Sequence, residues 1–386
     1  MNEQYRIAHK LGLMFRPETP LPDDVKAWAI SQLQAKSPAL GISRLGTKVK
    51  PWPKSLQPDL MARDTMFANW FQRQKLGDAS NASNAERSAN RKENLMKEKD
   101  ELKFSHRNIY GKDQVRLRFT AFWANHFTTG NIHDNQNHIG HAIDEAILAN
   151  LNGDFSHMLY KMTSHPSMLI YLDNIFSAGP NSREVNRAKR NGKQAGLNDN
   201  LGRELLELHT VSPSAKYSED DIRNAAKVLA GWGVFPGMLW GNNKITLEQK
   251  HARLTEMAGT TNTWDFFKAN HAEPGTKTVM GKTISAGSYA ELKGGLRNLT
   301  DFLASHEHTI NHISFKLAQH FVSDSPSQSD IEYIANAWKG SNGSLDVIHS
   351  AVIERAISSK ESKLQWPMTW LFQVIRLSDA SFFKGW

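Results

Sequence analysis

Two histidines of the chain fall on apolar faces of predicted helices: His126 in FWANHF (122–127) and His209 in GRELLELHT (202–210). At about 100° per residue, Phe119, Phe122, Trp123 and His126 share one face, with Phe127 on its flank. In the second motif Leu201, Leu205 and Leu208 form a stripe, His209 projects between Leu205 and Leu206, and Glu204 borders the stripe. Arg203, Glu207 and Thr210 turn the other way. An imidazole buried without a partner is costly, so each ring calls for a hydrogen-bond acceptor, a carboxylate or a metal ion.

Asn198, Asn200, Arg203, Glu204, Glu207 and His209 lie within a dozen residues, and three kinds of chemistry suit them. In an acid–base site His209 and Glu204 pair, with His126 as a second acid or an electrostatic stabiliser. Arg203 and the lysines of a nearby basic segment, Lys193 among them, then hold an anionic group, and Asn125, Asn198 and Asn200 contact the substrate. In a metal site Glu204, Glu207 and His209, joined by His126 and His165, supply ligands suited to a divalent Zn, Mn or Fe ion. Their spacing is neither the His-x-x-x-His of metalloproteases nor the Glu-x-x-His of di-iron bundles. In a haem site one of the two histidines is the axial ligand within a helical aromatic pocket; with no cysteine in the chain, thioether attachment is excluded.

A structural reading stands beside these. Asn198 or Asn200 caps the helix, Arg203 pairs with Glu207 at i+4, Glu204 satisfies a buried donor, and both histidines lock the core through polar networks. His165 reads as a turn residue, His133, His138 and His141 as solvated loop side chains, and Trp232, Trp240 and Trp264 as core packing, with sugar stacking as the functional alternative. No Walker loop, dinucleotide-binding fingerprint or Gly-x-Ser-x-Gly elbow is present.

The elements that must carry these residues are helical. Asp23 and Asp24 can cap a helix running to about residue 35, 38–58 reads as an extended connector, and 58–75 as an amphipathic helix. A polar linker follows and leads into an exposed helix. A helix from Gln114 carries FWANHF; further helices are expected at 141–150 and 155–162, and after Pro166, which suits the first helical position. Residues 177–199 have almost no large apolar side chain and read as a basic loop, either a lid or a surface insertion. Ser218 and Asp221 are placed as a capping box for a helix that stops before Gly231. Within an irregular stretch over 233–288, TKTVMGKTI suits a small hairpin. Helices resume near Tyr289 and continue to one opened by Pro367. The fold class is therefore mainly α with a minor β element. It divides into an N-terminal helical segment (1–75), a charged linker (76–103) and a main helical domain (104–386).

Hydrophobic residues make up 39% of the 386, with 18 Phe and 11 Trp, enough to build a large core. The formal charge of +8 is spread along the chain rather than gathered on one element, which argues against a nucleic-acid binder and leaves a general affinity for anions. Neither an apolar run of about 20 residues nor a secretion signal in MNEQYRIAHK is visible. The expected compartment is the cytoplasm, or the periplasm or exterior if a leader has been removed.

Six motifs in order, FWANHF, SHPSMLIYLDN, NDNLGRELLELHT, YSEDDIRNAAKVLAGW, HAEPGTKTVMGKTI and NHISFKLAQHFVSDSP, resemble the bacterial family known as domain of unknown function 1800. The likeness covers roughly residues 5 to 380. The family pattern usually has Glu, Tyr and Ala where this chain has Asp199, Leu201 and Gly202. The resemblance implies no assigned reaction. It implies that members are often exported and often accompanied by a partner that looks like a sulfatase or alkaline phosphatase. The expectation is a hydrolase or group-transfer enzyme acting on a polar or anionic substrate. The alternatives are a non-catalytic surface or assembly protein and a haem-binding oxidoreductase.

Overall fold

A computed structural model of the chain describes residues 3–17, 19–34, 57–64, 66, 98–130, 135–234, 245–246, 249, 252–253, 255–256 and 263–380. Helix α1 spans Glu3–Leu11 and α2 Val25–Leu33, the latter capped by the Asp24 carboxylate, which accepts from the amides of Lys26 and Ala27. Residues 60–64 are helical, as are 98–110, which form α3. Then come α4 (Gln114–His126), starting where the sequence places it, and α5 (Gln136–His141), which widens into a π-helical turn at Ala142–Ile147. Helix α6 is Phe155–Thr163, and α7 (Pro166–Tyr171) opens on its proline after an extended His165.

The basic stretch 177–199 is not a bare loop. It contains α8 (Arg183–Arg190), capped by the Ser182 hydroxyl. Only Val185 and Ala188 of α8 are buried, so its apolar face is too narrow to read in the sequence. The segment is held instead by polar bonds: Asn181 donates from its amide and side chain to the Glu273 carboxylate, and the Gly179 amide bonds to the His271 carbonyl.

Helix α9 (Asn200–Glu207) packs on α10 (Glu219–Leu229). A Cβ on Gly202 would lie 2.8 Å from the Ala226 amide nitrogen, so the two backbones approach closely because that residue has no side chain. Strands β1 (Lys277–Val279) and β2 (Lys282–Ile284) pair antiparallel, Val279 opposite Lys282. Met280 and Gly281, both at positive φ (47° and 79°), make the tight turn that suits the twist of a two-residue hairpin. Long helices close the chain: α11 (Tyr289–Ser305), α12 (Glu307–Phe321), α13 (Gln328–Ser341), α14 (Leu345–Ser358) and α15 (Pro367–Leu377). The fold is mainly α, as the sequence indicates.

One apolar cluster runs from Ile7 and Leu11 through Phe119, Trp123, Phe155 and Leu205 to Leu317, Phe321 and Trp338, so most helices contribute to a single core. Helix α3 is not an exposed extension of the linker. Its Asp100 and Lys103 are buried, with Asp100 bound to Arg63 and Lys103 to Asp144. The connector residues 38–56, all of 67–75, the linker residues 76–97, and His133 and Trp240 lie outside the described residues. No described helix is long and apolar enough to cross a membrane.

Asp221 joins two elements. One carboxylate oxygen completes the capping box with Ser218, and the other accepts from the Met280 amide in the hairpin turn at 2.6 Å. Asp221→Ala is expected to cost about 1–2 kcal/mol and to raise amide exchange in the hairpin as well as at the start of α10. Exchange confined to α10 would show that the bond to the hairpin contributes nothing.

Candidate functional site

Helix α4 is enclosed on nearly every side, with Gln114, Arg116, Arg118, Thr120 and His126 buried alongside Val115, Leu117, Phe119, Phe122 and Trp123. Each polar side chain needs a partner. Arg116 donates to the carbonyls of Leu33 and Leu148, Arg118 to the Thr369 hydroxyl and the Lys10 carbonyl, and Trp123 Nε1 to His349 Nε2 at 2.9 Å.

At the C-terminal end of α4, His126 is engaged through both ring nitrogens. Lys316 Nζ on α12 donates to Nδ1 at 2.9 Å. The ring proton therefore sits on Nε2, which lies 3.2 Å from the His209 carbonyl oxygen and donates to it. The two imidazoles, 83 positions apart in the chain, have centroids 6.2 Å apart, and each residue is 4% exposed. Burial holds His126 well below the usual 6.5, helped by the charge on Lys316; burial and Lys316 likewise lower His209 to about 3.

Helix α9 ends at Glu207, one residue before the sequence stripe would require. The amides of Leu208 and His209 both bond back to the Glu204 carbonyl, and the Ser212 amide reaches the Leu206 carbonyl. This reversal leaves Leu208 51% exposed and swings His209 inward, so the buried apolar set is Leu201, Leu205 and Leu206.

The carboxylates do not join the two rings. The Glu204 carboxylate makes no hydrogen bond or ion pair among the described residues; it is raised by partial burial and by Glu207, and no carboxylate acts on His209. Arg203 is bound not to Glu207 but to Glu219, through two bonds of 3.1 and 2.9 Å, with Asp199 at 3.7 Å. Asn198 Oδ1 accepts the Asn200 amide just before α9, but the N-cap is Asp199 and no side chain caps the helix, so neither Asn198 nor Asn200 is the cap. Asn125, Asn200 and Lys193 are exposed. Among the described residues no three His, Asp or Glu side chains are arranged to hold a metal ion, Glu204, Glu207 and His209 included. With both nitrogens of its ring engaged, His126 is not poised as an axial haem ligand.

His138 and His141 are not solvated. His138 is fully buried with Nε2 2.8 Å from Asp64 Oδ1, and His141 Nδ1 lies 3.1 Å from His165 Nε2. His165 Nδ1 accepts the Ser167 amide and caps α7, so His165 is indeed a turn residue. Trp232 and Trp264 are buried, as core packing requires.

Lys316 and His312 were not singled out in the sequence. The available signal is the spacing of His308, His312, Lys316 and His320, every fourth residue along one side of α12. Burial and Lys316 also lower His312. In the turn after His209, Ser214 Oγ lies 3.2 Å from His308 Nδ1 and 2.8 Å from Ser212 Oγ. Ser212 adopts φ 62° and ψ 165°, a region open mainly to glycine. Ser212→Gly should therefore raise stability by about 1 kcal/mol despite the lost hydroxyl contact, read as a higher melting temperature; a lower one would show that the hydroxyl outweighs the strain.

His209, His349 and His141 are each lowered to about 3, chiefly by burial. Such rings stay neutral in the folded chain but take up a proton near pH 6.5 once unfolded. Stability is thus fully present above about pH 6.5 and is lost as pH falls toward 3, by up to about 1.4 kcal/mol per pH unit for each ring. The melting temperature should drop between pH 6.5 and 4, with protons drawn from the buffer on unfolding. A flat profile, with no buffer-dependent heat, would contradict neutral burial.

The chain matches the family described as "Protein of unknown function (DUF1800)" over residues 16–385. That is nearly its whole length, and the chain belongs to this family. No curated protein and no solved structure matches it. Leu201 is buried in the core and Asp199 faces Arg203.

Proposed function

We propose that the chain is an enzyme that hydrolyses, or transfers a group on, a small polar substrate bearing an anionic moiety. Its site lies between α12, the turn after α9 and the end of α4. One observation carries this reading: Lys316, partly buried and held against His126 Nδ1, has no ion-pair partner among the described residues. A partly buried cation without a counter-charge is costly. A substrate phosphate, sulfate or carboxylate supplies that charge through charge-assisted hydrogen bonds.

In this arrangement Lys316 replaces Arg203 and Lys193 as the anion-holding group, because Arg203 is already neutralised by Glu219. His126 is a positioning residue: its neutral Nδ1 fixes the ammonium group, and its Nε2–H ties the site to the turn after α9. His312, one helical turn from Lys316 and less enclosed than His126 or His209, is the ring placed to exchange a proton with substrate.

A second reading, a non-catalytic assembly protein with a structural histidine network, is favoured by a different observation. His126 and His209 are almost fully enclosed, and His126 has no unused ring nitrogen. Lys316→Met separates the two. For an enzyme, millimolar phosphate or sulfate should raise the melting temperature of the wild type but not of the variant. Turnover in a screen of phosphate and sulfate monoesters should fall by about a hundredfold or more in the variant, while melting remains cooperative. No anion effect on the wild type, together with a large loss of stability in the variant, would favour the structural network.

A further inference from the structure

A cavity of about 510 Å³ opens on the side of α4 next to His126. Ala121 and Ala124 leave space along α4, and Phe104 of α3, Ile143 of the π-helical turn, Trp366 and Met368 surround it. Of the polar lining groups, the Asp100 carboxylate is already bound by Arg63 through two bonds, Ser105 is half-buried and Glu101 is exposed. Asn125 is exposed. The volume is in the range of small-molecule sites, which pair apolar walls with a few polar groups.

Two chains of contact link this cavity to the anion-holding group. On α4, Asn125 lines the cavity and the next residue, His126, receives the hydrogen bond from Lys316. On the opposite wall Trp366 packs edge-on against His320 with centroids 4.5 Å apart, and His320 lies one helical turn from Lys316. The cavity and the cation are thus linked through His126 on one path and through His320 on the other. Beyond Trp366 and Met368, α15 exposes Trp370 and Leu371 to solvent, so an apolar surface leads away from the lining residues.

We infer that this cavity binds the alkyl or acyl chain of an amphiphile whose anionic head is held at Lys316. The walls argue for a flexible chain. They are mainly aliphatic groups with two aromatic rings, Asp100 is neutralised by arginine, and Glu101 and Asn125 are exposed, leaving little within the cavity to read the heteroatoms of a polar ring. The head assignment rests on the proposed anion site; the tail assignment does not.

Two probes separate these parts: decan-1-ol, which has only the chain, and decyl phosphate, which has chain and charge, each titrated calorimetrically below its aggregation concentration. Both should bind the full chain one to one. Ala124→Phe, which fills the cavity, should weaken both by about tenfold or more, and Ala121→Phe gives a second test should the first variant fold poorly. Lys316→Met should weaken decyl phosphate alone. The inference is overturned if decan-1-ol does not bind, or if a folded cavity-filling variant binds it as well as the wild type. If both probes lose affinity on filling the cavity but Lys316→Met leaves their ratio unchanged, the tail site stands and the anion reading fails.

Discussion

The structure depends on the desolvation of one helix. Helix α4 buries two arginines, a glutamine, a threonine and a histidine among its apolar residues, and none of these can be left unsatisfied at low cost. Their partners come from almost every direction: the carbonyl at the end of α2, Leu148 just after the π-helical turn, and the first and last helices, while Trp123 of the same helix bonds to α14 through His349. Each bond fixes the approach of a neighbouring element to within hydrogen-bond tolerance, which apolar packing by itself does not do. The candidate site is the last of these bonds, at the end of the helix where two further segments meet.

Charge is arranged there in an unusual order. His126, His209 and His312 are all lowered by burial, and the His126 ring acts as a neutral donor and acceptor rather than as a cation. The positive charge of the group resides on Lys316, which burial also lowers. Nearby carboxylates are directed elsewhere: Glu219 is taken up by Arg203, and the Glu204 carboxyl, raised by partial burial and by Glu207, makes no bond to the rings. A neutral ring there holds an ammonium group that has no ion-pair partner among the described residues.

Much of this was legible because local rules are strong where they apply. Asp24, Ser218 and Pro166 mark helix starts through bonds or backbone angles that involve only neighbouring residues, and the Met280–Gly281 turn follows from the same short-range logic. The apolar face around Trp123 was visible from its period. Helix α8 was missed because it is anchored by Glu273 and the 270–271 carbonyls, which lie some 90 residues away in the chain. The burial of His138 and His141 was missed for a related reason: their partners, Asp64 and His165, come from other segments, and nothing in a polar stretch announces them.

The sequence by itself determined that the chain is mainly helical, which family it belongs to, and that His126 and His209 sit where a polar ring needs a partner. Periodicity, capping residues and ordered motifs are short-range properties and survive in one dimension. Only the tertiary structure decided who the partners are. Arg203 meets Glu219 rather than Glu207, His209 offers its carbonyl rather than a carboxylate pair, and Lys316, 190 positions from His126, supplies the charge. Those choices follow from where α9 ends and how α12 lies against α4, and both are set by packing among segments that the linear order keeps apart.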